Sequence, residues 1–374
     1  MRTQQSSLPA VNLGSQRSIT SWHFGQGVSG KKVYIQSSLH ADEIPGMLVA
    51  HYLRQQLASY EQAAAIDGEI VLVPVANPIG LAQDIQGSAF GRFDLSTGIN
   101  FNRGYRYLTP GLIQQLEGQL GADAAENTRK IRQAAHALLA QWQPSSEADA
   151  LKKHLQTLAI DADIVLDLHC DNQAVLHMYT GTPLAQQSMP LAAYLGARAV
   201  LVTTESGGDP FDENCSRHWW ELATHCQHQP EVAIALACLS ITVELRGETE
   251  VRHDLARKDA AAICAFLQQA GHIQGTAPAM PALLCEATPL EGVDPIVAPH
   301  AGIFVLTKSL GDEVQAGEAI GDIVDPLSGV VTPLITSTSG VLFACLARRY
   351  VSAGARVAKV AGSKAFRQGM LLSM

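Results

Sequence analysis

The chain has 374 residues, 47% of them hydrophobic and only 16% charged, which excludes disorder over most of its length. At about 150 residues per domain, that length suggests two domains. A net charge of −9 excludes a general nucleic-acid binder, which needs a basic face. The 7 cysteines are odd in number and form no CxxC pair, so reduced, mostly buried thiols are expected rather than a disulfide framework. No apolar h-region marks the first residues, and the longest apolar run, Val232–Val243, is broken by Ser240 and Thr242. A bilayer span needs about 20 apolar residues, so a cytoplasmic protein with no membrane segment is expected.

Short β-branched runs alternate with helical stretches over the first two thirds. Val33–Ser38, Glu69–Val75, Asp163–Leu168, Ala199–Thr204 and Leu239–Leu245 read as strands. Gly46–Leu57, Ala124–Trp142, Ser146–Leu158 and Asp254–Gln269 read as helices, the last closed by Ala270-Gly271 as a C-cap. Alternation of this kind predicts an α/β layer fold, with ligands beyond the carboxyl ends of the strands.

At Gly275–Pro289 proline and alanine dominate, which reads as a linker or crossover. Beyond it the helical pattern stops and an internal repeat begins. Ala301-Gly302-Ile303-Phe304 aligns with Ser339-Gly340-Val341-Leu342, and Val314-Gln315-Ala316-Gly317 with Val351-Ser352-Ala353-Gly354. Two such half-units predict a small all-β barrel-sandwich with pseudo-twofold symmetry. The expected division is therefore residues 1–275 and 276–374.

Chemistry concentrates at strand ends. His40 and Glu43 follow the first run three residues apart, so within one turn they can face one point. The third run leads straight into Asp167-Leu168-His169. Two histidines and a glutamate match the ligand count of a catalytic zinc site, with one position open for water. As plain structure, both histidines would be polar caps. Glu244 ends an otherwise apolar strand, where a carboxylate is costly without a role or a partner; Arg246 is the alternative partner. Glu205 is a rival base. Arg92 and Arg103 lie in loops and offer cations for carboxylates or an oxyanion. His51 and His136, in helical stretches, read as structural or exposed, and Cys170 as a packed thiol. Asp209–Trp220 (DPFDENCSRHWW) reads either as a substrate-side wall or lid, or as a helix whose tryptophans pack.

In order, the segments SSLHADEIPG, VPVANPIG, GRFDLSTGINFNRGY, DIVLDLHC and ITVELRG resemble the succinylglutamate desuccinylase/aspartoacylase family. They cover most of residues 30–270. The resemblance implies a zinc-carboxypeptidase-like mixed sheet flanked by helices. It implies one zinc ion held by His40, Glu43 and His169, with Glu244 as general base and then acid. Asn102 and Arg103 match the pair that binds a substrate carboxylate, and Arg92 the arginine that holds the oxyanion. The implied substrate is a small N-acyl amino acid. A metallocarboxypeptidase acting on short peptides and a non-catalytic binding protein are the alternatives. Two departures stand out: HGNE becomes His40-Ala41-Asp42-Glu43, and the aspartate of DxNR becomes Asn100. A carboxylate orienting a ligand histidine must then come from elsewhere, and Asp167, two residues from His169, is the candidate. The carboxy-terminal unit resembles a lipoyl/biotinyl barrel-sandwich, yet no lysine lies in the hairpin near Asp325–Gly329. An unmodified structural or oligomerising unit is expected, a homo-oligomer following in the second case, and restriction of access to the metal is a further role open to it.

Overall fold

Buried strands need apolar residues on both faces, and the runs centred on Val33, Ile70, Val165 and Ile241 supply them. In a computed structural model, which describes residues 1–372, these runs form the middle of one nine-stranded mixed sheet. The chain opens with the antiparallel pair β1 (Arg2–Ser7) and β2 (Ser18–Gly25), then β3 (Lys32–Ser37), helix α1 (Pro45–Gln62) and β4 (Glu69–Val73). A single helical turn, α2 (Pro78–Leu81), and a small hairpin, β5 (Asp84–Ile85) with β6 (Ser88–Ala89), lead into a long loop and α3 (Thr109–Gln115). Helices α4 (Ala124–Gln141) and α5 (Glu147–Ala159) follow, capped by the side chains of Asp123 and Ser146. Next come β7 (Ile164–Asp171), β8 (Gln173–Ala174), β9 (His177–Gly181), α6 (Ala185–Leu195) and β10 (Ala199–Thr203). Helix α7 (Phe211–His225), β11 (Leu239–Gly247) and α8 (His253–Gln269) complete the first two thirds, and Gly271 adopts the left-handed φ of +76° that ends α8.

The sheet order is β1-β2-β4-β3-β7-β11-β9-β10-β12, where β12 (Ala287–Pro289) comes from the proline-rich crossover and pairs parallel to β10. β4, β3, β7 and β11 are parallel, so their carboxyl ends share one edge. The chain leaves β3 toward β4 on one side and later returns as β7 on the other. A crevice opens where strand order reverses in this way. Val33, Ile35, Leu166 and Ile241 pack under α1, α6 and α8, whereas Tyr34, Val71 and Val165 pack under α3, α4, α5 and α7.

Beyond β12 lie β13 (Val293–Val297), β14 (Gly302–Leu306), β15 (Glu313–Val314), β16 (Ala319–Val324), β17 (Val331–Ile335), β18 (Gly340–Cys345), β19 (Tyr350–Val351) and β20 (Arg356–Gly362). They form two four-stranded runs, β13-β20-β18-β15 and β17-β16-β14-β19, around Phe304, Ile320, Ile323, Leu342 and Val360. The repeat is visible in the pairing: Val314 faces Gly340 across β15–β18, and Val351 faces Gly302 across β19–β14. Each half lends two strands to each sheet. β8 joins the second unit by pairing with β18, and Phe343 packs against Ala174, Leu201 and Leu290 across the junction.

All seven cysteines are free and six are buried. No helix among the described residues is long and apolar enough to cross a membrane.

The repeat keeps glycine at 302 and 340 for one reason. A Cβ at either position would collide with a carbonyl oxygen on the neighbouring strand, that of Val324 for Gly302 and of Ala361 for Gly340. Gly302→Ala and Gly340→Ala should each lower stability by about 1–3 kcal/mol, the range for overpacking. Chemical unfolding that shows no midpoint shift for either variant would refute this.

Candidate metal centre and active site

His40 sits in the turn just beyond β3, after Ser38 has taken a left-handed φ of +63°. The Glu43 N–H donates to the His40 carbonyl at 3.1 Å, which closes the turn and brings both side chains to one side. His169 arrives on β7. One ligand atom from each of His40, Glu43 and His169 lies within 4.8 Å of the others, and all three residues are buried. Glu43 is the hub. Its Oε1 is 2.9 Å from His40 Nδ1, and its Oε2 is 2.8 Å from His169 Nδ1 and accepts from the Cys170 N–H at 3.0 Å.

Both imidazoles thus present Nδ1 inward and Nε2 outward. His40 Nε2 lies 2.8 Å from the Asn100 side-chain oxygen, and His169 Nε2 lies 3.0 Å from Asp167 Oδ2. Asp167 therefore stands where the sequence places a carboxylate partner, on His169. His40 is served by Asn100, whose amide oxygen accepts as an aspartate oxygen would. Burial and the Arg92 charge push the His40 imidazole down to about 4. Burial alone would lower His169, but the Asp167 and Glu43 carboxylates raise it well above its ordinary value. Burial alone would raise Glu43, but the two histidines hold it well below the usual carboxylate range. Two imidazole nitrogens and a carboxylate, converging from buried positions with their outer nitrogens oriented, form a donor set that could hold a divalent metal ion.

The other predicted residues fall around this group, with one exception. Gly91 packs so closely on the backbone of Ala41 and Asp42 that a Cβ would collide there, and its carbonyl accepts from the Ala41 N–H at 3.0 Å. That contact delivers Arg92, whose Nη1 reaches Glu43 Oε1 at 3.1 Å and lies 3.2 Å from His40 Nδ1. Asn102 accepts from the Phe211 N–H at 2.8 Å and so pins the start of α7. Arg103 is buried, donates to the Asn102 carbonyl at 2.6 Å and feels the charges of Asp212 and Glu213. Glu244 is the register partner of His169. It is half-buried, and its shielded Oε2 has no hydrogen-bond partner among the described residues. Burial, then the nearby Glu43 charge, pushes its carboxyl up to about 8. Arg246 is not its partner. A register shift after Glu244 and a φ of +65° at Arg246 turn that guanidinium to Asp259. Glu205 is the exception: its exposed side chain pairs with Arg217 at 3.2 Å, away from the group. His51 is an exposed partner of Gln55, and His136 lies half-exposed by Asp161.

These side chains line a cavity of about 390 Å³. Other residues line it too: Asp212 and Glu213 from the first turn of α7, Glu248, and Arg356 and Lys359 of β20. Lys359 pairs with Asp171 beneath Phe343. Burial, then the Asp212 charge, pushes Glu213 up to about 7. The segment 209–220 combines its two readings. It is a helix whose Trp219 and Trp220 pack into the cores, and its first turn walls the cavity. Two adjacent acids opening a helix of buried residues were the signal for that wall. Nothing local marks Arg356 or Lys359.

The profile of the succinylglutamate desuccinylase/aspartoacylase catalytic domain matches residues 29–270. The chain belongs to that family of hydrolases. No protein of curated function matches the sequence. Among solved structures, two proteins assigned by likeness to the same family resemble the whole chain. That of Shewanella frigidimarina NCIMB 400 is 25% identical with a TM-score of 0.84, covering 96% of this chain and 97% of its own. That of Shewanella amazonensis SB2B is 26% identical with a TM-score of 0.84, covering 96% and 98%. The ectoine utilization protein EutE (DoeB) of Ruegeria pomeroyi shares the fold at 16% identity, with a TM-score of 0.67 and coverage of 96% and 94%.

Because a cation competes with a proton at His169, whose affinity for protons is raised, metal affinity should fall as pH drops through and below neutrality. If this group holds a divalent ion, His169→Ala should lower metal content by about tenfold or more in elemental analysis. Full metal content in that variant would remove His169 from the ligand set.

Proposed function

We propose that this chain is a zinc-dependent amidohydrolase of zinc-carboxypeptidase-like fold that removes the acyl group from an N-acyl amino acid or similar small carboxylate. The observation that carries it is the meeting of His40, Glu43 and His169, with Glu244 directly across the β7–β11 ladder from His169. When bound, one zinc ion supplies a Lewis acid that polarises the scissile carbonyl and acidifies a water.

The side chains divide the remaining work. Glu244, half-buried with a shielded oxygen left unbonded, takes the proton of the attacking water and returns it to the departing amine. A raised carboxyl suits both tasks, because it gains and loses a proton near neutrality. Arg92, already at the ligand group, supplies positive charge where the tetrahedral oxyanion develops. Asn102 and Arg103, held against the start of α7, meet the substrate carboxylate. The cavity volume suits a small molecule. Strands beyond residue 276 contribute part of its wall, which favours an N-acyl amino acid over an extended peptide.

We also take residues 1–275 as the catalytic unit and 276–374 as crossover plus an unmodified lipoyl-like barrel-sandwich. Lys308 is paired with Glu318 and Lys359 with Asp171, and neither lies in the β16–β17 connection. Intact mass should equal that of the bare polypeptide; a lipoyl or biotinyl increment would contradict the assignment.

A panel of N-acyl amino acids and short peptides, read out as free amine with and without a chelator, tests the activity. Hydrolysis of the former alone, abolished by the chelator, is expected. Release of carboxy-terminal residues from peptides would instead make the protein a carboxypeptidase. Glu244→Gln should retain zinc and lose about 10²–10⁴-fold in kcat. In the wild type, kcat/KM should fall as pH drops, since the base form of Glu244 is lost. The midpoint should lie below about 8, because a nearby dication stabilises the carboxylate. Near-normal turnover by Glu244→Gln would assign the base elsewhere.

A further inference from the structure

The sheet face that carries His169 also carries a line of buried polar side chains with no part in the proposed reaction. Tyr34 and Gln36 lie two apart on β3, as Asp167 and His169 do on β7, so each pair shares a face. Gln36 and Asp167 are register partners across the β3–β7 ladder. Tyr34, Gln36 and Asp167 each have 0% exposure. The Tyr34 hydroxyl donates to Gln36 Oε1 at 2.8 Å, and Gln36 Nε2 donates to Asp167 Oδ1 at 3.0 Å. The other oxygen of Asp167 lies 3.0 Å from His169 Nε2, an ion-pair contact that does not meet hydrogen-bond geometry.

Chemistry fixes the direction of this chain. A carboxylate only accepts, so Asp167 must receive the amino end of Gln36. That leaves Oε1 facing Tyr34, which must then donate. With Oδ1 engaged by Gln36, the Oδ2 charge stands 3.0 Å from His169 Nε2, and that proximity favours a proton on Nε2. The lone pair of Nδ1 is then left on the side where the ligand atoms converge. Gln36 interrupts a strand whose neighbours Val33 and Ile35 are apolar core residues. A buried amide there is costly unless both of its ends are bonded, and both are.

We infer that Gln36 and Tyr34 are positioning residues for metal binding: they lock Asp167, and through it hold His169 in the tautomer that offers Nδ1 to a divalent cation. The role presupposes that His40, Glu43 and His169 form the metal centre of the proposed function. Neither residue touches the ligand group itself, so each must act at a distance, through Asp167.

The experiment is zinc affinity of the full chain, measured by competition with a chromophoric chelator. Gln36→Leu should weaken zinc about 10–100-fold, the range for partners of metal-ligating histidines, and Tyr34→Phe should weaken it less. Combined with Asp167→Ala, Gln36→Leu should cause no further loss, because its effect passes through Asp167. Combined with Asn100→Leu, which acts on His40, the losses should multiply. The unfolding midpoint of the metal-free protein separates positioning from general destabilisation, which would move the midpoint and leave affinity unchanged. Wild-type affinity in both Gln36→Leu and Tyr34→Phe, or losses that multiply with Asp167→Ala, would overturn the inference while leaving the metal centre intact. Failure of the wild type to bind zinc would overturn both.

Discussion

One carboxylate organises the site. Glu43 is buried at the reversal point of the sheet, and a buried charge is tolerable only when paired and hydrogen-bonded. Its two oxygens meet His40, His169, Arg92 and the Cys170 N–H. Those partners come from the turn after β3, from β7 and from the 91–103 loop. The carboxylate therefore ties three separate segments to one point. Its depressed proton affinity and the raised affinity of His169 describe the same attraction from its two ends. A metal ion would replace protons between these groups rather than create the cluster.

Backbone strain does the aiming. Of the five non-glycine residues with left-handed φ among the described residues, Ala64 and Gln86 lie in remote turns, whereas Ser38, Asp209 and Arg246 each stand next to a site element. Ser38 precedes His40, Asp209 precedes the first turn of α7, and Arg246 follows Glu244. Such conformations cost of order 1–3 kcal/mol each and persist where the surrounding structure fixes them. Here the buried ladders β3–β7–β11 supply that rigidity. The strain turns side chains out of the strand alternation and into the cavity or, for Arg246, away from it.

Much of this is legible in the sequence, for a physical reason. Histidine, aspartate and glutamate at the ends of β-branched apolar runs stand out because water is absent there. The five runs all become strands of one sheet, and His40, Glu43 and His169 meet beside their ends. β1 is not legible, since RTQQSS has no apolar face and is held by pairing with β2. The fate of Arg246 is hidden as well. Its spacing from Glu244 allows a salt bridge, and only the bulge, which has no local signature, turns it to Asp259. Asn100 offers His40 an acceptor oxygen at 2.8 Å, the same kind of partner that an aspartate oxygen would be, but without its charge. The relay through Gln36 is invisible for the opposite reason. A glutamine in an apolar strand has meaning only once its cross-strand neighbour is known.

The carboxy-terminal repeat shows how symmetry is broken to make part of a site. At the repeat offset, Phe343 corresponds to Val305 and Lys359 to Asp322. Phe343 is fully buried against the larger sheet, whereas Val305 remains 42% exposed. Pairing of β8 with β18 selects which half faces the cavity. Once that half is docked, β20, its neighbour in the same sheet, brings Arg356 and Lys359 to the cavity wall. The paired half-unit of the repeat has no such partner and keeps Ile303 and Val305 on its outer face. A duplicated scaffold thus contributes to one cavity through a single backbone junction, and the identity of the residues on β18 and β20, not the fold they share with β14 and β16, decides what that wall presents to a ligand.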